Sequence, residues 1–213
     1  MINNIDLIRP LMEFPNPGDS FYFVQILQRK KDNKENNISN SLLGSNNNSR
    51  LIKSYYISKI EQLDRYWDEM CKIADLFQSR VGINLNPRSF EKTAYKTLIK
   101  MSNQMYNRDF YNIGRAYNSA CGEYQSEIDK RWIVDIDTLD KQVLNETENL
   151  ISNQYSSINN FGKKPNYKLL CTLPSKSGYH IICNPFDIKI LENIKNSNYI
   201  EIHKNNPTNL YIS

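Results

Sequence analysis

An α+β fold is predicted for this sequence by three observations. β-prone runs and helical stripes are mixed along the chain, several strand pairs are separated by short turns and read as hairpins, and no internal repeat stands out. A doubly wound sheet fits this order less well. With 213 residues and 39% hydrophobic content, the chain can bury one good core, so we expect a single domain with two lobes.

Residues 1–20, with Pro10, Pro15, Pro17 and Gly18, read as an irregular lead-in. Phe21 to Leu27 is aromatic and β-branched, a strand, and Leu51 to Ile57 is its hairpin partner. Between them, Arg29 to Arg50 is rich in Lys, Asn and Ser and reads as an exposed loop. Ser58 followed by Glu61 has the form of a capping box. The helix it opens carries Ile60, Leu63, Trp67, Met70, Ala74 and Phe77 as a core stripe. Val81 to Leu85 is a short strand. Pro87-Arg88-Ser89 opens a helix with Phe90, Ala94, Leu98, Met101 and Met105 on one face. Asp109 to Cys121 is a weaker helix, and Gly122 to Lys130 a polar connection.

Next comes Arg131-Trp132-Ile133-Val134-Asp135-Ile136-Asp137, around which the chain is organised. A helix follows over about Leu139 to Gln154, then a loop over Ser156 to Asn166. Tyr167 to Leu173 and Tyr179 to Cys183 are strands flanking the turn Pro174 to Gly178. Pro185 to Asn196 reads as a short helix. Tyr199 to His203 and Leu210 to Ile212 close the chain as strands, with Asn205-Asn206-Pro207 turning between them.

Net charge is +4, from 27 basic and 23 acidic residues, compatible with nucleic acid without indicating it. The abundance of Asn reads as coding bias. Cys71, Cys121, Cys171 and Cys183 are widely spaced, which speaks against a zinc site and for reduced thiols. No apolar run approaches a membrane span and the N-terminus lacks a signal-peptide core, so a soluble, cytoplasmic protein without membrane contact is expected.

Three clusters carry chemistry. A strand points alternate side chains the same way, so Asp135 and Asp137 share a face with Cα atoms about 6.6 Å apart. Two carboxylates side by side at the end of a buried strand are costly unless a cation neutralises them. Mg²⁺ and similar hard ions are held by such carboxylates together with substrate phosphates. A solvated turn would give the same spacing. Second, Ser175-Lys176-Ser177-Gly178-Tyr179-His180 can offer hydroxyls, an ammonium, backbone N–H groups and an imidazole to one anion; an ordinary hairpin loop is the alternative. His203 reads as exposed. Third, Ile200 and Ile202 face the core while Glu201 faces out. If that strand lies beside the one carrying Asp135, three acids converge and could hold two divalent ions about 3.5–4 Å apart against a nucleoside triphosphate. No Walker-type loop, kinase signature or nucleophilic triad is present.

The order acid-x-acid, Ser-x-x-Gly-x-His, apolar-acid resembles the archaeo-eukaryotic primase superfamily, the primase-polymerases. Asp135 and Asp137 match its first motif, Ser175 to Ile181 its second and Ile200-Glu201 its third, although Glu stands where Asp is usual; Asp187 is a weaker alternative for that position. The resemblance spans about Arg131 to Ile212. It implies a primase-polymerase catalytic core over 1–213, an N-terminal α/β lobe over 1–125 and an RRM-like antiparallel sheet over 126–213. It implies Mg²⁺ or Mn²⁺ on Asp135, Asp137 and Glu201. It implies triphosphate contacts from Ser175, Lys176, Ser177, Gly178 and His180. The implied reaction is template-directed nucleotide addition on single-stranded DNA, with a replicative helicase or other replication protein as partner. The wording of the central strand is similar to small primase-like proteins of large tailed phages, which implies phage DNA replication in the host cytoplasm. Arg80 and Arg88 could face nucleic acid, with surface charge as the plainer reading. Two other classes stay open: an Asp-x-Asp metal-dependent glycosyltransferase, and a non-catalytic nucleic-acid binder on a primase-like fold.

Overall fold

The computed structural model describes residues 1–29, 49–123, 130–154, 168–194 and 197–213. Residues 30–48 of the predicted Arg29–Arg50 loop, the Ser156–Asn166 loop and most of the Gly122–Lys130 connection lie outside the described residues, while Arg29 ends one strand and Ser49 and Arg50 begin the next. In chain order the strands are β1 (Ile2–Asn3), β2 (Ser20–Arg29), β3 (Ser49–Ile57), β4 (Arg80–Ile83), β5 (Arg88–Ser89), β6 (Trp132–Ile136), β7 (Leu169–Pro174), β8 (Tyr179–Cys183), β9 (Ile200–His203) and β10 (Thr208–Ile212). The helices are α1 (Ile5–Ile8), α2 (Ile60–Leu76), α3 (Phe90–Tyr106), α4 (Ala116–Glu123) and α5 (Lys141–Ser152).

Two separate sheets form a mixed α+β architecture. The first runs β1-β10-β4-β2-β3, with β5 beside the start of β2; the second runs β7-β8-β6-β9. Every pairing is antiparallel. In the second sheet β6 and β7 therefore run the same way with β8 between them, a split βαβ unit whose crossover contains α5.

Alternation along β2 divides the first sheet. Tyr22, Val24 and Ile26 enter the main core with Leu63, Met70 and Ala74 of α2, while Phe21 and Phe23 form a smaller core with Phe90, Tyr117 and Cys121. Ile133, Leu173 and Ile182 of the second sheet join the main core, so the two sheets share it. The other face of the second sheet packs Val134, Ile136, Ile181 and Cys183 against Val143 and Ile151 of α5.

Several expectations are corrected. The first twenty residues hold β1 and α1, and Ile8 is fully buried. Ser58 and Glu61 form no capping box: Lys59 is the N-cap of α2, and Ser58 donates its N–H and hydroxyl to Gln62 Oε1 at 2.8 and 3.2 Å. Among the described residues of the predicted Pro185–Asn196 helix, the helical part is a 3₁₀ segment, Ile188–Asn193. Leu98 and Met105 do not face the core of α3. The two closing strands belong to different sheets, β9 beside β6 and β10 between β1 and β4.

Three buried asparagines, Asn4, Asn84 and Asn86, are structural. Asn4, buried, donates to the Pro174 carbonyl at 3.1 Å and the Asn209 carbonyl at 2.9 Å, tying the end of β7 to β10. Buried Asn86 donates to the Arg131 and Lys204 carbonyls at 3.0 and 3.1 Å and accepts the Arg131 N–H at 2.7 Å. Arg88 is not surface charge: it is 1% exposed. Its guanidinium donates to the Cys121 carbonyl at 3.0 Å, to Asn205 Oδ1 at 2.9 Å and to the Asn86 carbonyl. Arg88→Ala strips buried acceptors of their donor, so urea unfolding should show a loss of roughly 3 kcal/mol. Arg88→Lys should recover only part of it, because an ammonium cannot span the same fork.

Candidate functional site

The site is set by cross-strand register. β6 lies between β8 and β9 with Asp135 directly opposite His180 on one side and Glu201 on the other. Residues opposite one another on a sheet share a face at the strand spacing of about 4.8 Å. Glu201 and His203 are two apart on β9, and His203 pairs with Ile133, so this imidazole joins the same face. Asp137 follows the end of β6, where its N–H donates to the Tyr199 carbonyl at 2.9 Å and prolongs the ladder to β9.

Around Asp135 the side chains are close. His180 Nε2 is 3.4 Å from Asp135 Oδ1, and His203 Nε2 is 3.9 Å from Oδ2 and 3.5 Å from Glu201 Oε2. The Ser177 hydroxyl donates to Asp137 Oδ1 at 3.3 Å. A cleft of about 430 Å³ between the sheets is lined by Asp135, Asp137, Ser175, Ser177, His180, Glu201 and His203. Arg29, Arg80, Gly82 and Asn209 line it from the first sheet.

The turn is held in place by contact with the backbone. A Cβ on Gly178 would lie 1.8 Å from the Ile136 carbonyl oxygen and 2.9 Å from the Thr138 nitrogen. Glycine at this position is what lets the Ser175–Ser177 turn lie across the end of β6, next to Asp137. The turn itself closes with the Ser175 N–H donating to the Gly178 carbonyl at 2.9 Å.

Burial and charge set the protonation states. Desolvation raises the pKa of Asp135, and the neighbouring Asp137 and Glu201 carboxylates raise it further. Burial lowers His180 to about 4, reinforced by the positive charge of Arg80, so its ring is neutral at pH 7. Its Nδ1 is 2.8 Å from the Thr208 hydroxyl of β10. With Asp135 ionised, the satisfied arrangement has Thr208 donating to Nδ1 and Nε2–H directed toward Asp135 and the cleft.

The structure thus brings Asp135, Asp137, Glu201, Ser175, Ser177 and His180 to one cleft. Gly178 is buried behind it, whereas Lys176 is exposed and does not line it. Asp187 caps the 3₁₀ segment, accepting from the Lys189 N–H at 3.1 Å, and does not line the cleft either. His203 is half-buried in the site, correcting its reading as exposed. Arg80, read from the sequence as facing nucleic acid or as plain surface charge, lines the cleft, and Arg29 is a lining residue the sequence reading missed; Arg80 lies opposite Leu27, and Arg29 is two residues further along the same face of β2. Among the described residues, no group of three or more His, Cys, Asp and Glu side chains is arranged as a ready-made metal cage. The chemistry of the set nevertheless fits a divalent cation: beyond desolvation, which raises Asp135 most, the Asp137 and Glu201 carboxylates add negative charge that a cation would offset. No family model, curated protein or solved structure gives a significant match to this chain.

His180 titrates lower in the folded chain than in the unfolded one, so the unfolded state takes up the proton first. Stability should fall as pH drops from about 6.5 toward about 4 and level off below, a loss on the order of 3 kcal/mol. Urea midpoints measured across this window should show that His180→Gln lacks this component. Gly178→Ala should displace the turn and cost about 2 kcal/mol or more, read by the same assay.

Proposed function

We propose that this protein is a primase-polymerase-type nucleotidyltransferase that adds nucleotides to a primer on a single-stranded DNA template. The observation that carries the reading is the row His180–Asp135–Glu201, with Asp137 and Ser177 beside it, in one cleft between two sheets. The cleft volume lies in the range of roughly 300–1,000 Å³ that small-molecule sites occupy. The strand order β7-β8-β6-β9 with α5 in the crossover supports an RRM-like reading of the second sheet.

In this reading Asp135, Asp137 and Glu201 hold Mg²⁺ or Mn²⁺, with His203 beside two of them. When bound, the ions lower the pKa of the attacking 3′-hydroxyl and offset charge on the departing pyrophosphate. Neutral His180, its ring fixed by Thr208, presents an N–H to a phosphate oxygen without introducing a charge that would compete for the carboxylates. Ser175 and Ser177 supply hydroxyls from the turn, and Arg29 and Arg80 add positive charge on the opposite wall for the triphosphate. Glu201 and Asp137 are exposed enough to swing toward a ligand.

The test is primer extension on single-stranded DNA with Mn²⁺ and nucleotides, comparing wild type with Asp135→Ala/Asp137→Ala. Activity should fall by at least a thousandfold in the variant; unchanged activity defeats the assignment. Metal-free Asp135→Asn gives a second readout. Because the ionised carboxylate is disfavoured in the fold, the amide should raise Tm by a few degrees near pH 7, and the gain should vanish below the ordinary carboxylate pKa of about 4. Mn²⁺ with nucleotide should raise Tm of the wild type and not of Asp135→Asn. DNA binding without any metal-dependent shift would select the non-catalytic binder instead.

A further inference from the structure

We infer that α3 is a self-association surface through which two copies of this chain pair antiparallel. The packed side of the helix is mixed. Phe90 stacks on Phe21, but beyond it Thr93 is fully buried with Oγ1 lacking a hydrogen-bond partner, the Thr97 hydroxyl donates to the Thr93 carbonyl at 2.7 Å, and Gln104 Oε1 is buried without a partner. On the same side Lys96 and Lys100 pair with Glu123 of α4. The apolar side points to solvent. Tyr95 is 62% exposed, Leu98 61%, Ile99 62%, Met105 56% and Tyr106 89%. At helical periodicity these five positions fall within an arc of about 120°, the width of a core-facing stripe. Exposed Phe110 and Tyr111 follow directly after the helix.

Area argues for a stable contact. At roughly 150–250 Å² for each aromatic side chain, these seven residues expose on the order of 800 Å². The largest patch on an ordinary monomer is about 300–600 Å². About 800 Å² is what each partner contributes to a standard interface.

Charge argues that the occupant is a second copy. Glu91 opens the stripe, on the same arc, and exposed Arg108 stands just past its end with φ 57°. Leu98 and Ile99 lie midway between them. Antiparallel pairing about that midpoint sets each Glu91 against the other copy's Arg108 and opposes the two helix dipoles, a self-complementary isologous contact. No Lys or Arg lies within the arc from Glu91 to Tyr106, which disfavours a nucleic-acid backbone as occupant. This inference is independent of the proposed activity.

The experiment is sedimentation of the full chain across a micromolar concentration series. A dimer is expected. Leu98→Glu and Tyr106→Arg, both at exposed positions, should weaken it at least tenfold while leaving the far-UV circular dichroism unchanged. Glu91→Lys should weaken it, and Glu91→Lys/Arg108→Glu should restore it. A wild-type chain that stays monomeric overturns the inference, including one whose stripe instead binds another protein or single-stranded DNA. So does a dimer that survives both stripe substitutions, or a charge swap that fails to restore pairing.

Discussion

Everything at the site depends on the register of β6 between its two neighbours. Asp135 faces His180 on one side and Glu201 on the other because both pairings are antiparallel and in step. A slip of one residue in either pairing would send the partner side chain to the opposite face, where Val134, Ile136 and Ile181 pack under α5. The apolar face therefore enforces the polar one. Val134 and Ile136 must be buried, and burying them leaves Asp135 on the cleft side.

The second wall of the cleft is held by polar clamps. After β9 the chain leaves the second sheet and enters the first as β10, and the clamps hold that crossing. Asn4 joins Pro174 to Asn209, Asn84 donates to the Asn205 carbonyl at 2.7 Å, and Asn86 joins Arg131 to Lys204. Each amide satisfies backbone groups that the crossing would otherwise leave buried and unpaired. The same crossing brings Thr208 to His180 and Pro207 to within 3.3 Å of where a Gly82 Cβ would be. The ring that faces Asp135 is thus oriented from the other sheet.

The cleft holds titratable groups shifted in opposite senses. An acid pushed toward its neutral form stands beside a base pushed toward its own. Both shifts come first from desolvation, then from charges of the same sign gathered nearby. Opposed perturbations of this kind mark functional sites more often than structural ones. Both perturbations are a stability cost that the fold carries in this cleft at any pH where the group would ordinarily be charged.

Local pattern alone made much of this legible. The strand cores at Phe21 to Leu27 and Trp132 to Ile136, the stripe of α2, the glycine turn before His180 and the facing of Asp135 with Asp137 all follow from short-range periodicity and residue chemistry. Glu201 was legible as an acid on an apolar strand; that it lies opposite Asp135 was not, because pairing between strands more than sixty residues apart leaves no local trace. The same limit hid the places of His203 and Arg29 in the cleft lining, and left Arg80 readable only as a charge without a location, because that lining exists only where two sheets meet. It concealed the burial of Arg88 and the work of Asn4, Asn84 and Asn86, since a polar side chain reads as surface until its backbone partners are known. It also shifted the packed side of α3: Phe90 of the expected stripe stacks on Phe21 at 4.3 Å, while Ala94, Leu98 and Met105 turn outward. The sequence by itself determined which residues could carry charge, turn the chain or fill a core. Tertiary structure decided which of them meet, because register and sheet-to-sheet packing are long-range choices.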